Sequence, residues 1–299
     1  MITILLKKIY FYSFFNLKIK AAKPELSSLF HLHTPQSHPL SPHELLGCTA
    51  PALPSTTDVL VYVADGRFHL EAAMIANPSI LAYRYDPYEK VLTREYYDVD
   101  AMSSIRKNAV LTAARQCQNN SLTLQSSSSS SSSSPPSSAS SISISESVQA
   151  TSKSFKSSKW GIILGTLGRQ GNHGVLNYLL SLLPENTPVI LLSEIFPSKL
   201  ALFSDIKAWV QIACPRLSID WGYAFDKPLL SPYEASVALG HVQAWWDNDC
   251  EKEGKKEEKV KQGREIKDKI KYPMDFYARD SEGGWAAGFH NGRDRKKKN

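Results

Sequence analysis

An unbroken run of serine at residues 126–134, continued by Pro135-Pro136 and more serine to Ser158, cuts this chain in two. Such a stretch offers too little apolar surface to offset the entropy lost on ordering it. A fold must therefore be built on either side of it. Residues 123–158 read as a Ser-rich linker or insertion.

The flanking blocks, residues 23–122 and 159–250, carry one shared pattern. In the first, Asp58-Val59-Leu60-Val61-Tyr62-Val63-Ala64-Asp65-Gly66 is apolar, β-branched and closed by a turn pair, as a buried strand requires. Apolar residues at helical spacing over residues 68–76 stop at Asn77-Pro78. Residues 80–85 predict a second strand, residues 94–99 a third, and residues 102–118 a helix. In the second block, Trp160-Gly161-Ile162-Ile163-Leu164-Gly165-Thr166-Leu167 predicts a strand. A Gly-rich turn, Gly168 to Gly174, leads into a helix over 175–183. Strands follow at 189–192 and 209–213, with a helix starting at Pro197 between them. Strand, loop and helix in alternation is the signature of a parallel α/β sheet. The expected fold is α/β, with repeated open parallel-sheet domains and disordered insertions.

The ends read differently. Residues 1–22 are apolar and aromatic, but Lys7 and Lys8 interrupt them and no small-residue cleavage site follows. They read as an atypical N-terminal segment, with a membrane-surface or targeting helix as the alternative; no stretch is long enough to span a bilayer. Residues 251–271 alternate charges and read as a solvated insertion. Residues 272–299 read as a C-terminal tail. Net charge is +6, much of it in Arg293-Asp294-Arg295-Lys296-Lys297-Lys298. Set aside, that run leaves too small a surplus to call for a nucleic-acid partner.

Chemistry has few candidates. The four cysteines, Cys48, Cys117, Cys214 and Cys250, are far apart in sequence. No CxxC pair exists, which argues against a zinc ribbon or a dithiol redox site. HExxH, CxxxCxxC and a Ser-His-Asp arrangement are also missing from the pattern. Open α/β sheets bind ligands at the carboxyl ends of their strands. Cys214, Asp65, Asp86 and Gln170 fall at such ends, and Cys48 lies in a loop before a strand. Either cysteine is a ligand or nucleophile, or a small buried hydrophobe; Cys117 and Cys250 read as incidental. The turn Gly165-x-x-Gly168-x-x-Gly171 suits an anion held by backbone amides, or is simply a tight βα connection. His69 and His173 read as structural rather than acid–base groups.

Leu46-Gly47-Cys48-Thr49-Ala50-Pro51, Val63-Ala64-Asp65-Gly66-Arg67-Phe68-His69-Leu70-Glu71-Ala72 and Tyr85-Asp86-Pro87-Tyr88 resemble the middle domain of the first-subunit family of diphthamide synthase. Residues 161–172, Cys214-Pro215-Arg216-Leu217-Ser218-Ile219-Asp220-Trp221-Gly222 and Tyr272-Pro273-Met274-Asp275-Phe276-Tyr277 resemble its last domain. The resemblance implies two of the family's three α/β domains and a central [4Fe–4S] cluster with one cysteine ligand per domain, here Cys48 and Cys214. It implies S-adenosylmethionine at the open iron, with Gly168, Gln170, Gly171 and Asn172 lining its pocket. The chemistry implied is a 3-amino-3-carboxypropyl radical added to one histidine of translation elongation factor 2. Implied partners are a paralogous second subunit, elongation factor 2 and an electron-donating protein, in the cytoplasm, with no membrane or nucleic acid. The family's first domain, with a ligand cysteine in a Gly-Ala-Cys context, is expected ahead of residue 23; no cysteine stands upstream of Cys48. Two further readings stand beside the enzyme subunit. One is a non-catalytic form that only binds the partner subunit or elongation factor 2. The other is a nucleotide-binding module resting on the Gly-rich turn.

Overall fold

The computed structural model describes residues 8–13, 23–118, 159–168, 170–247, 272–279, 281 and 283–289. The serine-rich segment, residues 251–271, the basic run at 293–298, Cys250, Arg169 and the Cys117 side chain lie outside that description.

The first sheet has five strands: β1 Lys8–Ser13, β2 His31–His33, β3 Val59–Val63, β4 Leu81–Asp86 and β5 Val91–Glu95. Their order is β2-β1-β3-β4-β5. Strand β1 overturns the expectation that residues 1–22 stand apart from the compact blocks. It lies parallel between β2 and β3, with Tyr12 opposite Tyr62 and both rings buried. The lysines misled because a buried parallel strand needs only a handful of residues. Lys8 sits exposed at its first position, where its amide donates to Asp58 Oδ2 at 2.8 Å.

Helix α1, Phe68–Ala76, is buried all round over its second half, Ala72 to Ala76, and stops at Asn77. The Asn77 side chain accepts from the Leu53 amide at 2.7 Å and donates to Ala73 and Pro51 carbonyls, so the helix end and the preceding loop share one buried amide. Strand β5 is the second departure. It covers Val91–Glu95 rather than 94–99 and runs antiparallel to β4. Asp86 Oδ1 accepts from the amides of Tyr88 and Glu89, closing a turn too short for the crossover that a parallel neighbour needs.

The second sheet holds β6 Trp160–Gly165, β7 Val189–Leu192, β8 Ala208–Ile212 and β9 Leu229–Leu230, in the order β7-β6-β8-β9, with parallel pairing throughout. Its helices are α3 His173–Leu182, α4 Pro197–Ala201, α5 Pro215–Trp221 and α6 Pro232–Ala238. Helix α6 starts on a full capping box between Ser231 and Glu234, with Pro232 in its first turn.

Helix α2, Val99–Gln118, connects the two sheets. Arg106 forms a bidentate pair with Glu234, 2.7 Å to each oxygen, and both side chains are essentially without solvent contact. Trp245 Nε1 donates to Ser103 Oγ at 2.8 Å. Residues 272–289 are not a tail over their described part. The Ala50 amide donates to Met274 O, the Arg279 amide to His38 O, and the Tyr272 hydroxyl to Glu234 Oε1. Tyr272, Met274 and Phe276 are buried in the core shared by both sheets. Among the described residues no helix is long and apolar enough to cross a membrane.

Candidate metal centre

Cys48 sits on a tight reversal. The amides of Leu46 and Thr49 each donate to the other's carbonyl, and Thr49 pairs with Asp275 on its far side. Gly47 is required there, because any side chain would run into the Phe68 ring at the start of α1. Thr49 Oγ1 donates to Cys48 Sγ at 3.9 Å.

Cys214 is the N-cap of α5, directly beyond the carboxyl end of β8, with Pro215 in the first turn. Its turn is fixed by Gln211, a fully buried side chain on β8. Gln211 Nε2 donates to Cys214 O and to Ser218 Oγ, both at 3.0 Å. Sequence reasoning passed over Gln211. A polar residue at an inward position of an otherwise apolar strand was the available signal.

The two thiols are each half-buried, and Cys214 lies near enough to Cys48 to act on it electrostatically, at the seam where Arg216 of α5 reaches the Phe68 carbonyl of α1. Burial first, and the neighbouring Cys214 next, push the Cys48 thiol up to about 11, against the Thr49 hydrogen bond and Arg216. Burial also raises Cys214, against the amides of Arg216 and Leu217 and the Arg216 guanidinium. The Tyr277 hydroxyl is raised by burial and then by both cysteines, which marks it as the third group at the seam. It donates to Gln170 O at 3.0 Å and Ala213 O at 3.4 Å.

Burial raises both thiols, Cys214 adds to it at Cys48 and Asp220 at Cys214, so neither rests readily as a thiolate without a cation to hold it. A bound cation would offset the repulsion between the two thiolates once their protons are released. The donor set therefore fits two corners of a thiolate-held group. Among the described residues no three His, Cys, Asp or Glu side chains gather to complete it. One consequence is measurable on the metal-free chain. Between pH 7 and 9, Cys48 should be alkylated by iodoacetamide at about a hundredth the rate of an ordinary cysteine, as its thiolate fraction dictates. Peptide mass spectrometry over a pH series reads this out. A rate that levels off below pH 9 would contradict the burial described.

The Gly-rich turn adjoins the same seam. Gly171 packs under the Gly165 carbonyl where no side chain fits, and Gly168 has φ of 62° with open space at its Cα. The Gln170 carbonyl is held by Tyr277. Asn172 caps α3, its Oδ1 accepting from the Val175 amide at 3.0 Å. Gln170, Asn172, Ile212, Ala213, Phe276 and Tyr277 line a small pocket of about 20 Å³, room for one water molecule. Asp86 serves its turn, and His69, its proton affinity lowered by burial and by Arg216, lies on α1.

The architecture has solved counterparts. Dph2 from Pyrococcus horikoshii matches with a TM-score of 0.54 at 20% identity, over 80% of this chain and 59% of that one. A second structure of that protein, with a 4Fe-4S cluster, matches with a TM-score of 0.51 at 20% identity, over the same shares of the two chains. These share the repeated α/β fold. The family model for diphthamide synthesis protein matches residues 7–130 and 118–251, and the chain belongs to that family. Relatives named 2-(3-amino-3-carboxypropyl)histidine synthase subunit 1 are 44% identical in Nematostella vectensis, over 94% of this chain and 48% of theirs, and 44% identical in Gallus gallus, over 94% and 53%. The Homo sapiens relative is 43% identical over 93% of this chain and 49% of its own. The chain thus spans about half the length of the curated relatives it matches.

Proposed function

We propose that this chain serves in the first step of diphthamide biosynthesis, within the synthase that transfers the 3-amino-3-carboxypropyl group from S-adenosylmethionine to a histidine of elongation factor 2. Cys48 and Cys214 are the residues that would hold a [4Fe–4S] cluster. The observation that carries this reading is that two free thiols, one on the loop before β3 and one beyond β8, lie near each other. The relatives' names and the 4Fe-4S cluster of Pyrococcus horikoshii Dph2 support it. When bound, the cluster supplies the electron that splits the sulfonium bond of S-adenosylmethionine, in a radical mechanism.

The chain's own groups have definable parts. Arg216 sets a permanent positive charge beside both sulfurs and favours their thiolate forms. Tyr277 ties the Gly-rich turn to the carboxyl end of β8, so the turn and Cys214 are fixed with respect to each other. Backbone amides at Gly168 and Gly171 suit the cofactor's carboxylate. Since Asn172 Oδ1 is occupied as a cap, its amide nitrogen is the part left to bond a cofactor. The small adjoining pocket means that S-adenosylmethionine would lie over the turn rather than inside it. Partners in this reading are a paralogous second subunit, elongation factor 2 and an electron-donating protein, in the cytoplasm.

The pair of gathered thiols without a third donor among the described residues favours a second reading: a chain that folds and binds its partners without holding a cluster. Anaerobic reconstitution with iron and sulfide separates the two. The catalytic reading expects roughly four irons per chain and a thiolate-to-iron visible spectrum, both lost in Cys48→Ala and in Cys214→Ala. A parent chain that takes up no iron, alone or with the partner subunit, supports the second.

A further inference from the structure

The seam between the sheets is crossed by one guanidinium. Arg216, two residues beyond Cys214, is 3% exposed. Its Nε donates to Asp220 on its own helix at 2.8 Å and 3.0 Å. Its Nη2 also pairs with Asp220, at 2.8 Å, and the fork reaches α1 of the first sheet twice: Nη1 donates to Phe68 O at 2.7 Å, and Nη2 to Glu71. The guanidinium plane also lies over the Phe68 ring, 4.4 Å from its centroid. The edge of that same ring fills the space above Gly47, the residue before Cys48. Cys48, Gly47, Phe68, Arg216 and Cys214 thus form one continuous chain of contacts, with a ring and a guanidinium stacked at its middle.

We propose that Arg216 is a positioning residue, and that the Gly47–Phe68–Arg216 stack sets the separation of the Cys48 and Cys214 sulfurs. A guanidinium suits this task because its planar fork fixes direction as well as distance, and because it stacks on an aromatic face. A buried ion pair of this kind is better at holding a register between two elements than at stabilising them. Glu71 and Asp220, on the two helices, both bind the fork, so the guanidinium cannot tilt without breaking a charged hydrogen bond. The proposal rests on the reading of the two cysteines as ligands of one group, but its geometric part does not need a metal to be tested.

The test uses the reduced, metal-free full chain and dibromobimane at alkaline pH. Each sulfur displaces one bromide, forming a C–S bond as the C–Br bond breaks and releasing bromide and a proton. Only thiols held close are joined by one reagent molecule. Mass spectrometry quantifies the peptide bridged between Cys48 and Cys214, and iodoacetamide measures each thiol separately. In Arg216→Met the bridged fraction should fall roughly tenfold, the size expected when a supporting contact of a ligand is removed. Each thiol should remain singly reactive, though slower without the Arg216 charge, and the bridged fraction is compared after both thiols have reacted to completion. Phe68→Leu and Gly47→Ala, which disturb the stack from the other side, should fall in the same direction, and Arg216→Lys should recover only part of the loss. Trp245→Ala, destabilising but remote from the stack, should leave bridging unchanged. Parent-level bridging in Arg216→Met and Phe68→Leu would overturn the proposal; if Arg216→Met fails to fold, Phe68→Leu and Gly47→Ala decide alone. Arg216-dependent bridging in a chain that takes up no iron would retain the positioning role while removing the cluster.

Discussion

Arg106→Met should lower the stability of the chain by about 3–5 kcal/mol, the usual loss when one member of a buried ion pair is removed. Arg106 and Glu234 meet through two parallel hydrogen bonds in a site with no solvent contact. The guanidinium also donates to Leu229 O at 2.8 Å, at the start of β9. The substitution strands a carboxylate whose remaining partners, the Ser231 amide and the Tyr272 hydroxyl, cannot neutralise it. Urea unfolding is the measurement. Removing both charges, in Arg106→Met with Glu234→Leu, should recover part of the loss, since two apolar groups desolvate cheaply. Recovery is incomplete because the Tyr272 hydroxyl is then left buried without its acceptor. A single variant as stable as the parent would mean that α2 does not lean on the second sheet.

Trp245→Ala should cost about 3–5 kcal/mol, by lost apolar contact and the cavity left behind. The indole is 1% exposed and makes edge contacts with Trp246 and Tyr272, besides its hydrogen bond to Ser103. Calorimetry should show the melting temperature falling on the order of 10 °C. Trp245→Phe should cost less, because it keeps the aromatic contacts and leaves unpaired only the Ser103 hydroxyl. Equal losses in both variants would assign the effect to the hydrogen bond rather than to packing.

Much of this fold is legible because buried parallel strands are short apolar runs with turn residues behind them. Strands β3, β6 and β7 are read that way, and α1 is placed residue for residue. Strand β1 is not, because its lysines and aromatics resemble a targeting segment until a neighbour is known to cover both sides. Strand β5 takes its direction from the Asp86 turn, which a count of alternating elements ignores. Helix α6 carried a readable signal in Ser231-Pro232-Tyr233-Glu234 that went unused. At the candidate metal centre, Cys48 and Cys214 stand out through their loop positions and their motif contexts. Gln211, Arg216 and Tyr277 do not, because each acts on a residue distant in sequence or across the seam, and no periodicity encodes a cross-sheet pair.

The strip at residues 274–275 supplies the outer backbone partners of Thr49 and Ala50, immediately beyond Cys48. During synthesis those two residues leave the ribosome long before the strip does. Until it arrives, the reversal carrying Cys48 has an open edge, and Tyr277 has not yet tied the Gly-rich turn to β8. A chain made only as far as residue 271 therefore has both sulfurs but not the strip that frames Cys48. The order of synthesis thus matters to the site: the reversal at Cys48 gains its outer edge only after the residues at 274–275 have been made.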